Sequence, residues 1–169
     1  MCVAARFRAT LYGMLVREQP AVDLAIATRI LFRAGALRAD GRVTARLNDV
    51  VYIGGRGVGL ATITPYDVAV MLLADGSVLH GAPPENAAAY LDAHRRAPHA
   101  GSVAQVGAAE FVSAPSLRAC VVAALRRARG ETDSSDEAMI EAVWNELVSE
   151  ARVSGALIGA FATDEDPTP

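Results

Sequence analysis

Short β-type segments joined by tight links dominate the middle of this chain and constrain its architecture most. Val43 to Leu47 alternates apolar and polar residues, as a half-buried strand does. Asn48-Asp49 is a turn candidate, and Val50 to Ile53 is a second β-branched and aromatic run. Val68 to Leu73 is a continuous apolar run, which reads as a central strand. Ala74-Asp75-Gly76 predicts a hairpin turn after it, with Ser77 to His80 returning. Thr62 to Thr64 reads as a further short strand before Pro65, and Gly101 to Val106 as another. Between them Gly54, Gly55, Gly57 and Gly59 form a flexible loop around Arg56.

Helical periodicity flanks these segments. Val3, Phe7, Leu11, Met14 and Leu15 recur at three- and four-residue steps. Pro20 opens a second helix, Ala21 to Ala34, whose stripe is Leu24, Ala25, Ile30, Leu31 and Ala34 and whose stop is Gly35. Glu85 to Arg96 predicts a helix with Ala88, Tyr90, Leu91 and His94 toward one side. Pro115 to Arg129 predicts another, ending at Gly130. Asp136 to Ala151 carries the clearest apolar face (Ile140, Val143, Trp144, Leu147, Val148), with Ser135 or Asp136 as its cap. Residues 1–162 are read as one domain and Thr163 to Pro169 as a flexible acidic tail.

Composition narrows the function classes. More than half of the 169 residues are apolar, enough for a sizeable core. The net charge is -3 with both signs interspersed, and only 5% of residues are aromatic. Neither a basic stripe nor a stacking platform is present, so no nucleic-acid partner is expected. No long uncharged apolar window predicts a membrane span, and the arginine-bearing first residues do not read as a secretory signal. Cys2 and Cys120 stand in no metal or redox spacing, which favours a reducing, cytoplasmic compartment.

The ordered set of segments resembles the class II aldolase/adducin family. Gly35-Ala36-Leu37 followed by Asp40-Gly41-Arg42-Val43-Thr44-Ala45-Arg46 is similar to the family's helix exit and Gly-Asn-Ile-Ser-x-Arg turn. Val51-Tyr52-Ile53-Gly54-Gly55-Arg56-Gly57 is similar to its Ile-Thr-Pro-Ser-Gly loop. Ile63-Thr64-Pro65-Tyr66-Asp67-Val68-Ala69-Val70 and Ala74-Asp75-Gly76-Ser77-Val78-Leu79-His80-Gly81 resemble the strand and hairpin that follow. Ala82-Pro83-Pro84-Glu85 falls where the family has Pro-Ser-Ser-Glu, and Ser102-Val103-Ala104-Gln105-Val106 where it has its next strand. The resemblance runs from about Leu24 to Val106. It implies an α/β fold, a three-layer α/β/α sandwich around a mainly antiparallel sheet, assembled as a homo-oligomer. The chain is shortened, lacking a strand pair after Val106.

It also departs from the family. The His-x-His metal ligands correspond to Gln105 and Gly107, and the third histidine has no counterpart. His80, His94 and His99 do not share a spacing that would replace them. No metal and no other cofactor is therefore expected. The phosphate-cradle asparagine is Arg42 and the Ser-Ser pair is Pro83-Pro84, which removes amide and hydroxyl donors. Arg42 and Arg56 can still hold a carboxylate or another anion.

The resemblance makes Glu85 the candidate acid/base, at the start of a helix where it equally serves as a cap. Arg56, Arg42, Gly55, Gly57, Tyr52 and Gln105 are the candidate substrate-binding residues. Tyr52, Tyr66 and Tyr90 can supply a phenol to a carbonyl oxygen, or lie in the core. Cys120 reads as a buried, inert thiol. Two functions follow as expectations. One is a metal-independent lyase, isomerase or cyclase acting on a small carbonyl or hydroxy-carbonyl substrate. The other is a non-catalytic, adducin-like binding or assembly module.

Overall fold

The computed structural model describes residues 19–108, 110–131 and 137–153. The helix expected around Val3–Leu15, the caps Ser135 and Asp136, and the tail from Thr163 lie outside the described residues. Four helices and six strands are described: α1 (Gln19–Arg33), β1 (Val43–Leu47), β2 (Val50–Gly54), β3 (Val68–Leu72), β4 (Val78–His80), α2 (Ala87–Arg96), β5 (Ser102–Val106), β6 (Glu110–Ala114), α3 (Leu117–Ala128) and α4 (Glu137–Val153). The strands form one sheet in the order β4-β3-β2-β1-β5-β6, and each neighbouring pair is antiparallel.

Side-chain alternation divides the sheet between two cores. Val43, Ala45, Tyr52, Val68, Val70 and Ala104 face one way, against α1, α3 and α4. Val51, Ile53, Ala69, Met71 and Val103 face the other way, against α2. This is the three-layer α/β/α sandwich. Register follows from the links: Asn48 adopts φ 55 in the β1–β2 turn, which sets Leu47 opposite Val50.

The helices form where apolar spacing and end signals agree. α1 begins one residue before Pro20 and is buried almost all round. Gly35 ends it at φ 73, while the amides of Ala36 and Leu37 return to the carbonyl of Leu31. Ser116 caps α3 by accepting from the amide of Ala119.

Several expectations need correction. Thr62 to Thr64 is not a strand but the approach to a 3-10 turn at Pro65–Asp67. The reason is local, since the Asp67 carboxylate accepts from both the amide and the hydroxyl of Thr64, and Pro65 suits the first helical position. β3 is not central, because only β4 lies outside it. α2 starts at Ala87 rather than Glu85, and its buried face is the Ala87, Tyr90, Leu91 and His94 stripe with Ala93 beside it. Ala88, one residue out of that seven-residue pattern, is exposed, as is Ala34 beyond the end of α1. β6 was not anticipated.

Candidate active site

Three segments meet at one end of the sheet: the turn entering β1, the glycine loop leaving β2, and the link between β4 and α2. The backbone joins them. The amide of Arg56 donates to the carbonyl of Ala82 at 2.7 Å, and the amide of Gly55 to that of Asp67 at 2.8 Å. The side-chain amide of Asn86 donates to the carbonyl of Asp40 at 3.3 Å. Arg42, Arg56 and Glu85 are thereby carried on connected segments.

Gly55 is required by the chain itself. A Cβ there would lie 2.6 Å from the Asp67 carbonyl oxygen, closer than non-bonded atoms approach. Behind the loop, Arg29 is only 4% exposed and donates to the carbonyls of Ile63 and Thr62, each at 2.8 Å. The loop is therefore held to α1 by a charged donor. Gly57 adopts φ 72 with open space around it.

Arg42 is the unusual residue of the group. It is 7% exposed. Its Nη1 donates to the carbonyls of Ala39 and Gly41, while its buried Nε has no hydrogen-bond partner. Among the described residues no carboxylate reaches it as an ion pair: nearby Asp40 lies 3.9 Å from Arg38 instead. Desolvation lowers its pKa from the ordinary arginine value, opposed by the nearby Tyr90 and Asp40. Gly54 makes the space, since a Cβ there would sit 3.4 Å from Arg42 Cδ. A buried guanidinium held only by neutral carbonyls has unspent capacity for an anion.

Glu85 is exposed on the turn before α2. The helix has Asn86 at its N-cap with no side-chain cap bond, so Glu85 is not occupied as a cap. Arg56 is likewise exposed, fixed through its backbone.

The remaining candidates are placed differently. Tyr52 is fully buried in the core under α1, away from this cluster. Tyr66 is exposed on the 3-10 turn. Gln105, at the expected metal position, is committed at both ends. Its Oε1 accepts from the Tyr90 hydroxyl at 2.8 Å, and its Nε2 donates to the carbonyl of Ala108 at 2.8 Å. Gly107 offers no donor atom and adopts φ 74. His94 is buried on α2 with Nε2 against Thr44, and no group of three or more His, Cys, Asp or Glu converges among the described residues. These side chains do not fit a divalent metal held on β5.

The sequence offers Tyr90 as one of three phenols and as a residue on one side of the Glu85–Arg96 helix, with no link to Arg42 or Gln105. Its buried ties to Arg42 and Gln105 join residues far apart in the chain. The signal available was its place in the Ala87, Tyr90, Leu91, His94 stripe. Open clefts lie elsewhere. One of about 370 Å³ is lined by Ile30, Ala34, Leu147 and Ala151 among others, and one of about 380 Å³ by His99, Ser113 and Pro115 among others. Neither lining contains a buried unpartnered polar atom, so the cluster at Arg42 is the stronger candidate.

The family model of the class II aldolase and adducin N-terminal domain matches residues 22–127. No curated protein matches the chain. Among solved structures, an aldolase II superfamily protein from Pseudomonas syringae is similar with a TM-score of 0.64 at 11% identity, covering 82% of this chain and 94% of that one. The L-fuculose 1-phosphate aldolase from Glaciozyma antarctica PI12 is similar with a TM-score of 0.50 at 13% identity, covering 90% of each chain. YgbL from Escherichia coli, described provisionally as an aldolase/epimerase/decarboxylase, gives a TM-score of 0.48 at 20% identity over 54% of this chain. The chain spans 45% of the length of that YgbL. The likeness to the Pseudomonas syringae and Glaciozyma antarctica structures shows a shared fold.

Proposed function

The chain belongs to the class II aldolase and adducin family, and on that premise we propose that it is a metal-independent enzyme of lyase or isomerase type. Its substrate is a small carbonyl or hydroxy-carbonyl compound bearing an anionic group. The observation that carries this reading is the buried Arg42 guanidinium without a carboxylate partner among the described residues, on a segment joined to that of the uncommitted Glu85. Arg42 and Arg56 hold the anion. The Glu85 carboxylate takes a proton from the carbon beside the carbonyl, and the electron pair passes into the carbonyl oxygen. A guanidinium N–H supports the oxyanion. Return of the proton at the former carbonyl carbon, with the neighbouring hydroxyl proton passing to the first oxygen, gives isomerisation. In the reverse aldol direction Glu85 takes the β-hydroxyl proton instead, that carbon becomes a carbonyl, and the carbon–carbon electron pair passes into the enolate. The committed state of Gln105 supports a reaction that does without a metal on β5.

The test is deuterium uptake from heavy water into a panel of short hydroxy-carbonyl acids, followed by NMR with a chelator present. Glu85→Gln is expected to slow uptake by about a hundredfold or more while leaving the circular dichroism unchanged. An unchanged rate in that variant removes Glu85 from the mechanism. Binding of the acids with no uptake in any of them would favour the non-catalytic module.

A further inference from the structure

Arg42, Tyr90 and Gln105 close a ring of hydrogen bonds across three elements. The Arg42 amide donates to the Tyr90 hydroxyl oxygen at 2.7 Å. That hydroxyl donates to Gln105 Oε1 at 2.8 Å. The Gln105 amide returns to the Arg42 carbonyl at 3.0 Å, and Gln105 Nε2 runs on to Ala108 at 2.8 Å. Tyr90 is wholly buried, with its ring edge-on to Phe111 at 5.2 Å between centroids. Both oxygen-bearing groups of the ring are thus satisfied, so its geometry is determined on every side. The guanidinium of Arg42 lies outside this ring. It is buried with Nε unpartnered, and its Nη1 donates to the carbonyls of Ala39 and Gly41 on the same turn. Gly41 allows the approach, since a Cβ there would already lie 3.3 Å from the Gln105 carbonyl oxygen.

We propose that Tyr90 and Gln105 are positioning residues that lock the Arg42 turn and hold its guanidinium ready for the anionic group of the substrate. The hydrogen-bonded ring occupies the place where a metal ligand is expected from the family and organises this end of the sheet instead. The part concerning substrate rests on the proposed role of Arg42, whereas the lock is a property of the free protein. Burial pushes the Tyr90 phenol up to about 12, so it remains a donor to Gln105 across the working pH range.

The experiment reads the Arg42 Nε–H signal by NMR in the full chain. In the wild type this buried proton is expected to exchange slowly and to resonate apart from the exposed arginines. Tyr90→Phe removes one oxygen and keeps the ring against Phe111. Gln105→Met keeps the volume and removes both polar atoms. Each is expected to speed Nε–H exchange about tenfold or more, the loss of about one hydrogen bond, and to move its signal toward the exposed group. His94→Gln, on the same helix face but without contact to Arg42, is the control and is expected to lower stability while leaving the signal in place. An unchanged signal in both ring variants, or an equal change in the control, overturns the proposal. Malonate is the anion probe: it is expected to shift the wild-type signal saturably, with about tenfold weaker affinity in Tyr90→Phe. If malonate leaves the wild-type signal unmoved while the ring variants still release it, the lock stands and the anion role of Arg42 falls. Equal malonate affinity in wild type and Tyr90→Phe overturns the link between lock and ligand.

Discussion

Lowering the pH from 7 to 4 should destabilise this fold by about 3 kcal/mol through one residue, His94. The imidazole is 0% exposed, with Nε2 at 2.8 Å from Thr44 Oγ1. Thr44 also donates to the carbonyl of Val103 at 3.0 Å, and the tautomer with the proton on Nε2 satisfies both contacts and leaves the lone pair on Nδ1. Nδ1 has no hydrogen-bond partner. Burial lowers the His94 pKa from 6.5 to about 4, partly offset by the backbone of Ala100. The folded protein therefore refuses a proton that the unfolded chain accepts. Stability from this group is complete above about pH 6.5, falls as the pH drops, and is exhausted near pH 4. At about 1.4 kcal/mol per pH unit, that interval amounts to about 3 kcal/mol. Urea unfolding at half-unit steps from pH 7.5 to pH 4 measures the slope. His94→Gln keeps a donor for Thr44 and removes the titration. It should cost about 1–2 kcal/mol at pH 7 and should flatten the slope. His80 and His99 remain in both proteins, so the difference isolates His94. Equal slopes in the two proteins, or an NMR titration of His94 near the ordinary histidine value, would refute the reasoning.

Three further perturbations separate packing from charge. Gly55→Ala drives a methyl to 2.6 Å from the Asp67 carbonyl and should lower stability by about 1–3 kcal/mol in urea titration. Arg29→Met strips a charged donor from the carbonyls of Ile63 and Thr62. It should cost about 2–3 kcal/mol and should make trypsin cleave faster after Arg56, in the loop it releases. Glu110→Gln weakens the ion pair with Arg127 between β6 and α3. Both partners are about half exposed there, so the change in unfolding free energy should stay below about 1 kcal/mol.

Strands came through in the sequence wherever the burial pattern is a backbone pattern. Val43 to Leu47 alternates apolar and polar residue types, although Val43, Thr44 and Ala45 are all buried, and Val68 to Leu72 is buried on both faces; each reads as a strand from its own residues. β6 did not, because Phe111 and Val112 are adjacent and half-buried on opposite faces, and Glu110 is exposed beside Arg127. A strand with one free edge and one charged end carries a weak alternation. Thr62 to Thr64 failed for the opposite reason. Its residues favour a strand, but Arg29, distant in the chain, takes two of its carbonyls, and Asp67 caps the turn that follows.

The candidate site could be read from the sequence in its members but not in its wiring. Arg42, Arg56 and Glu85 could be named because a family pattern fixes their order along the chain. Gln105 could be recognised as a poor metal ligand, but nothing in its neighbours says that its side-chain Oε1 is taken by a tyrosine fifteen residues earlier. That bond depends on α2 lying across the face of β5, a tertiary fact. Glutamine at this position has a consequence that loss of a ligand alone does not convey. A histidine turned toward a metal would leave the Tyr90 hydroxyl without its acceptor, an uncompensated buried donor. Glutamine supplies that acceptor and still reaches Ala108. The same residue that leaves β5 unsuited to a metal thus also ties down the turn that carries Arg42.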